Sequence, residues 1–227
     1  MKQQDYSLWL ANDAVLLVAD DMATEQRQAV FDTLIYAQLL ANKEQGSRFT
    51  NFSRWNGAYV QAISNSGWII TQRSSECATG KSDTPVSPTQ RLQTWLEQRT
   101  PAAVPALDRA LAAVTRGSAE RMRLRGQQAH SQGSYVVFEV GVVHEGPVID
   151  LCCVFVDCSV PVEQVGLGRA IAGDTLRELW VKGCCATLAP ASFEMHRAKL
   201  REVVARKQEE FSYLVRLGEL NAGGANE

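Results

Sequence analysis

The chain has 227 residues, a mass of 25.0 kDa and 45% apolar side chains, enough to bury a core without a disulfide scaffold. Its 23 basic and 25 acidic residues leave a formal net charge of −2, which argues against a nucleic-acid-binding surface. The opening Met1–Leu10 is too polar for a signal peptide, and Ala14–Ala19 is apolar but too short to span a bilayer; a soluble cytoplasmic protein is expected, with release or export without a signal peptide as the alternative.

Residues 22 to 45 carry helical periodicity: Val30, Leu34, Ala37 and Ala41 recur on one face, widened by Phe31, Ile35 and Leu40. Asp20, Asp21 and Thr24 are placed to satisfy the first amides, and Gly46 to terminate the helix. A second helix is expected over 52 to 64, burying Phe52, Trp55, Tyr59 and Ile63, with Asn65-Ser66-Gly67 as a left-handed turn into a strand over 68 to 72. Residues 74 to 90 read as a mobile polar loop. Pro88 suits the first turn of a helix bearing Leu92, Trp95 and Leu96, and Pro101 opens another with Val104, Leu107, Leu111 and Val114, closed by Gly117.

Residues 135 to 143 and 148 to 158 form a predicted β-hairpin, with Val137 opposite Val154 and Glu139 opposite Cys152. Both faces of this hairpin, and of the next strand over 175 to 188, are largely apolar, so the sheet must be covered on both sides. Pro190 starts a last helix whose stripe runs Phe193, Leu200, Val203, Val204, Phe211 and Leu214 and ends at Gly218. The pattern implies one α+β domain over 1 to 220, a mainly antiparallel sheet between two helical layers, and a disordered tail over 221 to 227.

Candidate chemistry is sparse. Thr79-Gly80-Lys81-Ser82 follows a strand, but Ser75 stands where a phosphate-binding loop needs glycine, and Asp83-Thr84-Pro85 breaks the helix that should follow. Gly166-Leu-Gly168-Arg-Ala-Ile-Ala-Gly173 has the wrong spacing for a dinucleotide fingerprint. No paired His or C-x-x-C spacing suggests a metal site, and no metal is expected. Glu139 and Asp150, placed diagonally on one hairpin face by that register, form a candidate acid–base pair; solvation, or pairing with Lys182 or Arg177, is the simpler account. The basic stretch carrying Arg116, Arg121, Arg123 and Arg125 is a candidate docking surface for a protein partner.

Two strands carry adjacent cysteines, Cys152-Cys153 and Cys184-Cys185. Neighbours in a strand point to opposite faces, which disfavours chelation or a disulfide within either pair. Buried thiols away from cations are inert packing groups; the functional alternative is covalent lipidation, a fatty chain adding hydrophobic filling at about 0.8 kcal/mol per methylene.

Asp32-Thr-Leu-Ile-Tyr-Ala-Gln-Leu-Leu-Ala-Asn-Lys43, followed by Trp55, Tyr59 and Ile63-Ser-Asn-Ser-Gly67-Trp68, resembles a group of bacterial and fungal proteins linked to the Evf type of bacterial virulence factor. The likeness is best over residues 30 to 72. It implies a mixed α/β protein without catalytic activity, linked to persistence in an insect host, and fatty acylation of a buried cysteine. Cys184 and Cys185 are the first candidates for that position, Cys152 and Cys153 the next. A non-enzymatic toxin- or virulence-type protein that engages lipid or a membrane surface is therefore the leading expectation, ahead of an interaction module and an enzyme using Glu139 and Asp150.

Overall fold

A computed structural model describes residues 4–12, 14–79, 83–109, 135–160, 170–208 and 214–220. The strands are β1 (Tyr6–Ala11), β2 (Ala14–Ala19), β3 (Trp68–Thr79), β4 (Tyr135–His144), β5 (Val148–Cys158), β6 (Leu176–Leu188) and β7 (Leu214–Leu220). The helices are α1 (Thr24–Gln45), α2 (Phe52–Asn65), α3 (Pro88–Glu97) and α4 (Pro190–Gln208). The strands form one sheet in the order β3-β6-β5-β4-β2-β1-β7. Every neighbouring pair is antiparallel except β2–β4. The expected α+β architecture, with its largely antiparallel sheet, is therefore present.

Each face of the sheet has its own core. Leu16, Val18, Ile149, Leu151 and Cys184 meet α1 and α2 through Phe31, Leu34, Trp55 and Tyr59, while α4 packs on α1 and contributes Phe193 and Leu200. On the other face Leu8, Val15, Val140, Cys152 and Val181 meet Leu92, Trp95 and Leu96 of α3 and Leu107 of the helical stretch 104–109. These are the two helical layers that strands apolar on both faces demand.

Local chemistry accounts for most of the boundaries. Asn51 Oδ1 accepts the Arg54 amide at 3.1 Å to cap α2, and Ser87 Oγ accepts the Gln90 amide at 3.2 Å to cap α3, with Pro88 in its first turn. Gly46 ends α1 at φ 73, its N–H donating to the Asn42 carbonyl; at the other end Ala23 is the cap and gives no side-chain bond, so Asp20, Asp21 and Thr24 do not cap α1 as expected. Gly67, at φ 90, turns α2 into β3, and a Cβ there would lie 2.5 Å from the Phe193 amide nitrogen at the start of α4.

Four features differ from the sequence reading. β1 and β2 form a hairpin through Asn12, whose φ of 51 is tolerated by an asparagine turn. β3 runs on to Thr79, because its polar second half is paired along β6 at the sheet edge rather than looped. The last helix ends at Gln208, and Leu214–Leu220 pairs with β1 as an edge strand. Finally, the β4–β5 turn comprises Glu145, Gly146 and Pro147, with Gly146 at φ 124, so His144 pairs with Val148. That shifts the hairpin by one residue: Val137 opposes Phe155 and Glu139 opposes Cys153. The Phe211 end of the last stripe, the 110–134 stretch and the 221–227 tail lie outside the described residues.

Gly183 of β6 lies directly under Trp95, whose Nε1 donates to Ser74 Oγ at 3.3 Å; a Cβ at 183 would collide with the indole nitrogen. Gly183→Ala is expected to lower the unfolding free energy by about 1–3 kcal/mol, as overpacking does, measured by urea denaturation. Combined with Trp95→Phe, the loss should be less than additive; strict additivity would place the strain elsewhere.

Candidate functional site

The hairpin register sends the two interior carboxylates to opposite faces. Glu139 opposes Cys153 on the α1/α2 side, while Asp150 opposes Cys185 on the α3 side. They cannot act as an acid–base pair, and neither is solvated or paired to Lys182 or Arg177 as the simpler account supposed.

Glu139 is 1% exposed. Tyr59 Oη donates to its Oε1 at 2.7 Å and Gln38 Nε2 to its Oε2 at 3.3 Å. Asn12 Nδ2 in turn donates to Gln38 Oε1 at 2.6 Å. Burial, then the neighbouring carboxylate, push the Tyr59 hydroxyl well above its ordinary pKa, which keeps it a donor. Cys153 lies in the same cluster; burial and then Glu139 drive its thiol far upward, against the lowering influence of Arg48.

On the opposite face Asp150 accepts from Cys185 Sγ at 2.5 Å and from Thr100 Oγ1 at 3.2 Å, and His144 Nε2 lies 3.7 Å from it. Arg99 Nη1 donates to Cys185 Sγ at 2.8 Å and to Gln72 Oε1 at 2.6 Å. The carboxylate sits between thiol and imidazole, so His144 has no position from which to deprotonate Cys185. Burial and the Asp150 hydrogen bond push that thiol up to about 12. The arrangement stabilises a thiol rather than a nucleophile.

The four candidate cysteines therefore have distinct settings. Cys152 is fully buried in the α3-side core, and burial raises its pKa; Cys153 belongs to the Glu139 cluster; Cys185 is held by Asp150 and Arg99. Cys184, 4% exposed, faces α2 and pairs across strands with Arg73. Burial raises its thiol to about 11, and Arg73 is the largest opposing influence. Beside it, a cleft of about 240 Å³ opens between α2 and strands β3 and β6, lined by Asn56, Val60, Arg73, Ser75 and Lys182. Adjacent cysteines do fall on opposite faces, as strand alternation requires.

Sequence reasoning took Tyr59 for a packing residue and passed over Gln38, Arg73, Arg99 and Thr100. A signal was available for the first two: a glutamate inside an apolar strand, in a sheet covered on both sides, requires buried donors from the helices above it. Arg116, Arg121, Arg123 and Arg125 lie outside the described residues. Among the described residues no group of three or more His, Cys, Asp or Glu is placed to hold a metal, and no helix is long and apolar enough to cross a membrane.

No family model and no curated protein matches the chain. Among solved structures it is similar to a delta-endotoxin (11% identity, TM-score 0.42, covering 78% of this chain and 81% of that one). It is also similar to the Evf virulence factor (10% identity, TM-score 0.35, covering 92% and 85%). Both likenesses are distant, and no residue role is carried across from either.

Tyr59→Phe should cost about 1.5–3 kcal/mol of stability, the range for a hydrogen bond to a charged group, read by urea denaturation; an equal cost in a Glu139→Gln background would show that hydroxyl and carboxylate are uncoupled. Burial lowers the His144 pKa below 6.5, against raising influences from Asp150 and Asp21. The unfolded chain therefore takes up this proton first as pH falls, so stability is lost from about pH 6.5 downward until the folded pKa is passed. Comparing urea midpoints near pH 7 and about pH 5, His144→Gln should show a smaller drop than the parent chain; an equal drop would assign the pH dependence to other groups.

Proposed function

We propose that the chain is a non-enzymatic protein of virulence or toxin type that engages lipid, carrying a fatty acyl chain as a thioester on Cys184. The observation that carries the choice of residue is the cleft beside Cys184, which opens this side of the sheet next to two cations, Arg73 and Lys182. Cys152 and Cys153 lie deep within the two cores, and Cys185 is engaged by Asp150 and Arg99. The virulence-type part of the reading rests on the sequence resemblance over residues 30 to 72.

The acyl group would come from an activated donor such as an acyl thioester. The Cys184 sulfur bonds to the acyl carbon, the carbon–sulfur bond to the donor breaks, and the departing thiolate takes up the Cys184 proton. Arg73 assists by favouring the thiolate against the burial that opposes it. The hydrocarbon chain then binds apolar surroundings at about 0.8 kcal/mol per methylene, which one chain alone converts into marginal, reversible membrane attachment.

Intact mass of the chain from its native source should exceed the sequence mass by one fatty acyl group. Hydroxylamine should remove the excess, Cys184→Ser should abolish it, and Cys185→Ser should retain it. An unmodified native mass overturns acylation; an excess that persists in Cys184→Ser moves it to another residue.

A further inference from the structure

We infer that the cleft between the first half of α2 and strands β3 and β6 is a binding site for a phosphate-type anion. The inference holds whether or not Cys184 carries an acyl chain. Lys182 projects from β6 on the α2 side, its Nζ donating to Ser53 Oγ at 3.0 Å and lying 4.8 Å from the centre of the Trp180 ring. Ser53 stands in the first turn of α2, the positive end of a helix of 14 residues. The ammonium and the positive end of α2 both favour a negative charge brought near them. Partial burial lowers the Lys182 pKa.

Arg73 supplies the second cation from β3, two residues along the strand from Ser75 and on the same face, where Ser75 itself pairs with Lys182. Among the described residues neither Arg73 nor Lys182 makes an ion pair. Helix α2 contains no acidic residue at all. Of the strand acids, Glu76 acts on Cys152 on the opposite face, Glu178 shares the face of Lys182 but lies four residues along β6, near Cys77, and Glu139, on the same face beyond Cys153, is engaged by Tyr59 and Gln38. The cleft thus has two positive charges, the Ser75 hydroxyl and the Asn56 amide, and no carboxylate among its lining residues.

The chemistry of the ligand follows from charge and size. Two cations match a phosphate monoester, which carries roughly −1.5 to −2 charges at neutral pH. The guanidinium offers a fork for two oxygens and the ammonium a point charge for a third. At about 240 Å³ the cleft is smaller than the roughly 300–1,000 Å³ that drug-sized ligands occupy. It suits a phosphate with a short polar attachment, such as glycerol phosphate, free or as the head of a lipid.

The test uses the full chain treated with hydroxylamine, so that a thioester plays no part. Thermal melting is compared in glycerol phosphate and in chloride at equal ionic strength. Flotation is compared on vesicles of phosphatidylcholine alone and of phosphatidylcholine with phosphatidic acid. Glycerol phosphate should raise the melting temperature, and Arg73→Gln and Lys182→Gln should each weaken binding by roughly tenfold or more, the loss of one charge-assisted hydrogen bond. Flotation only on phosphatidic acid vesicles, lost in Arg73→Gln, identifies a lipid head group as the source. A melting shift without flotation identifies a soluble phosphate. Absence of both effects overturns the site, as does an effect undiminished in Arg73→Gln, an exposed position whose substitution leaves the core intact.

Discussion

The register of the β4–β5 hairpin distributes the interior carboxylates between the two faces of the sheet, and the polar architecture of the core follows from it. Gly146, at φ 124, permits a three-residue turn in which His144 pairs with Val148. One residue of slip would bring Glu139 and Asp150 to the same side. Glu139 would leave Tyr59 and Gln38, or Asp150 would leave Thr100 and Cys185. Either loss strands a buried charge, at a cost of several kcal/mol. The donors waiting on each face therefore oppose the alternative register as firmly as the turn favours the observed one.

The Glu139 cluster also joins pieces of chain that local interactions do not connect. Asn12 comes from the β1–β2 turn, Gln38 from α1, Tyr59 from α2 and Glu139 from β4. These residues converge where β2 and β4 run parallel, with Ala14 paired to Glu139. A parallel pair needs a long crossover and gains little from local turns. Apolar packing alone would tolerate several placements of β2 against β4, whereas a carboxylate with directional donors tolerates few. On the α3 side Asp150 and Arg99 hold Cys185 as a protonated thiol, so the two faces use their carboxylates differently.

Helical periodicity, with Gly46, Gly67 and Pro88 marking boundaries, made α1, α2 and α3 legible from sequence, and strand alternation split both cysteine pairs across the sheet. The misses share a physical origin. β1 and β2 are six residues each, and Ala14–Ala19 is buried at every position, so neither presents the alternation that marks a half-exposed strand. The second half of β3 is polar because one of its edges faces solvent, and its pairing depends on β6, about a hundred residues away. Leu214 continued the spacing of the last helix yet begins a strand beside β1. The same distance hid the cleft: Lys182 and Arg73 become neighbours only through the β3–β6 ladder, and the absence of acids from α2 acquires meaning only once that helix lies over them.

Charged side chains on edge strands commonly guard against edge-to-edge pairing. That accounts for an exposed Arg73 or Glu76 on β3 without any ligand. It does not account for Lys182. β6 is an inner strand, paired on both sides, and its lysine is drawn against the first turn of α2. Solubility would be served better by an ammonium free in water, and packing by an apolar side chain over Trp180. A cation at that position, held by Ser53 and the Trp180 ring with no carboxylate on the overlying helix, keeps a positive charge at the cleft that an anion from outside the chain would complete.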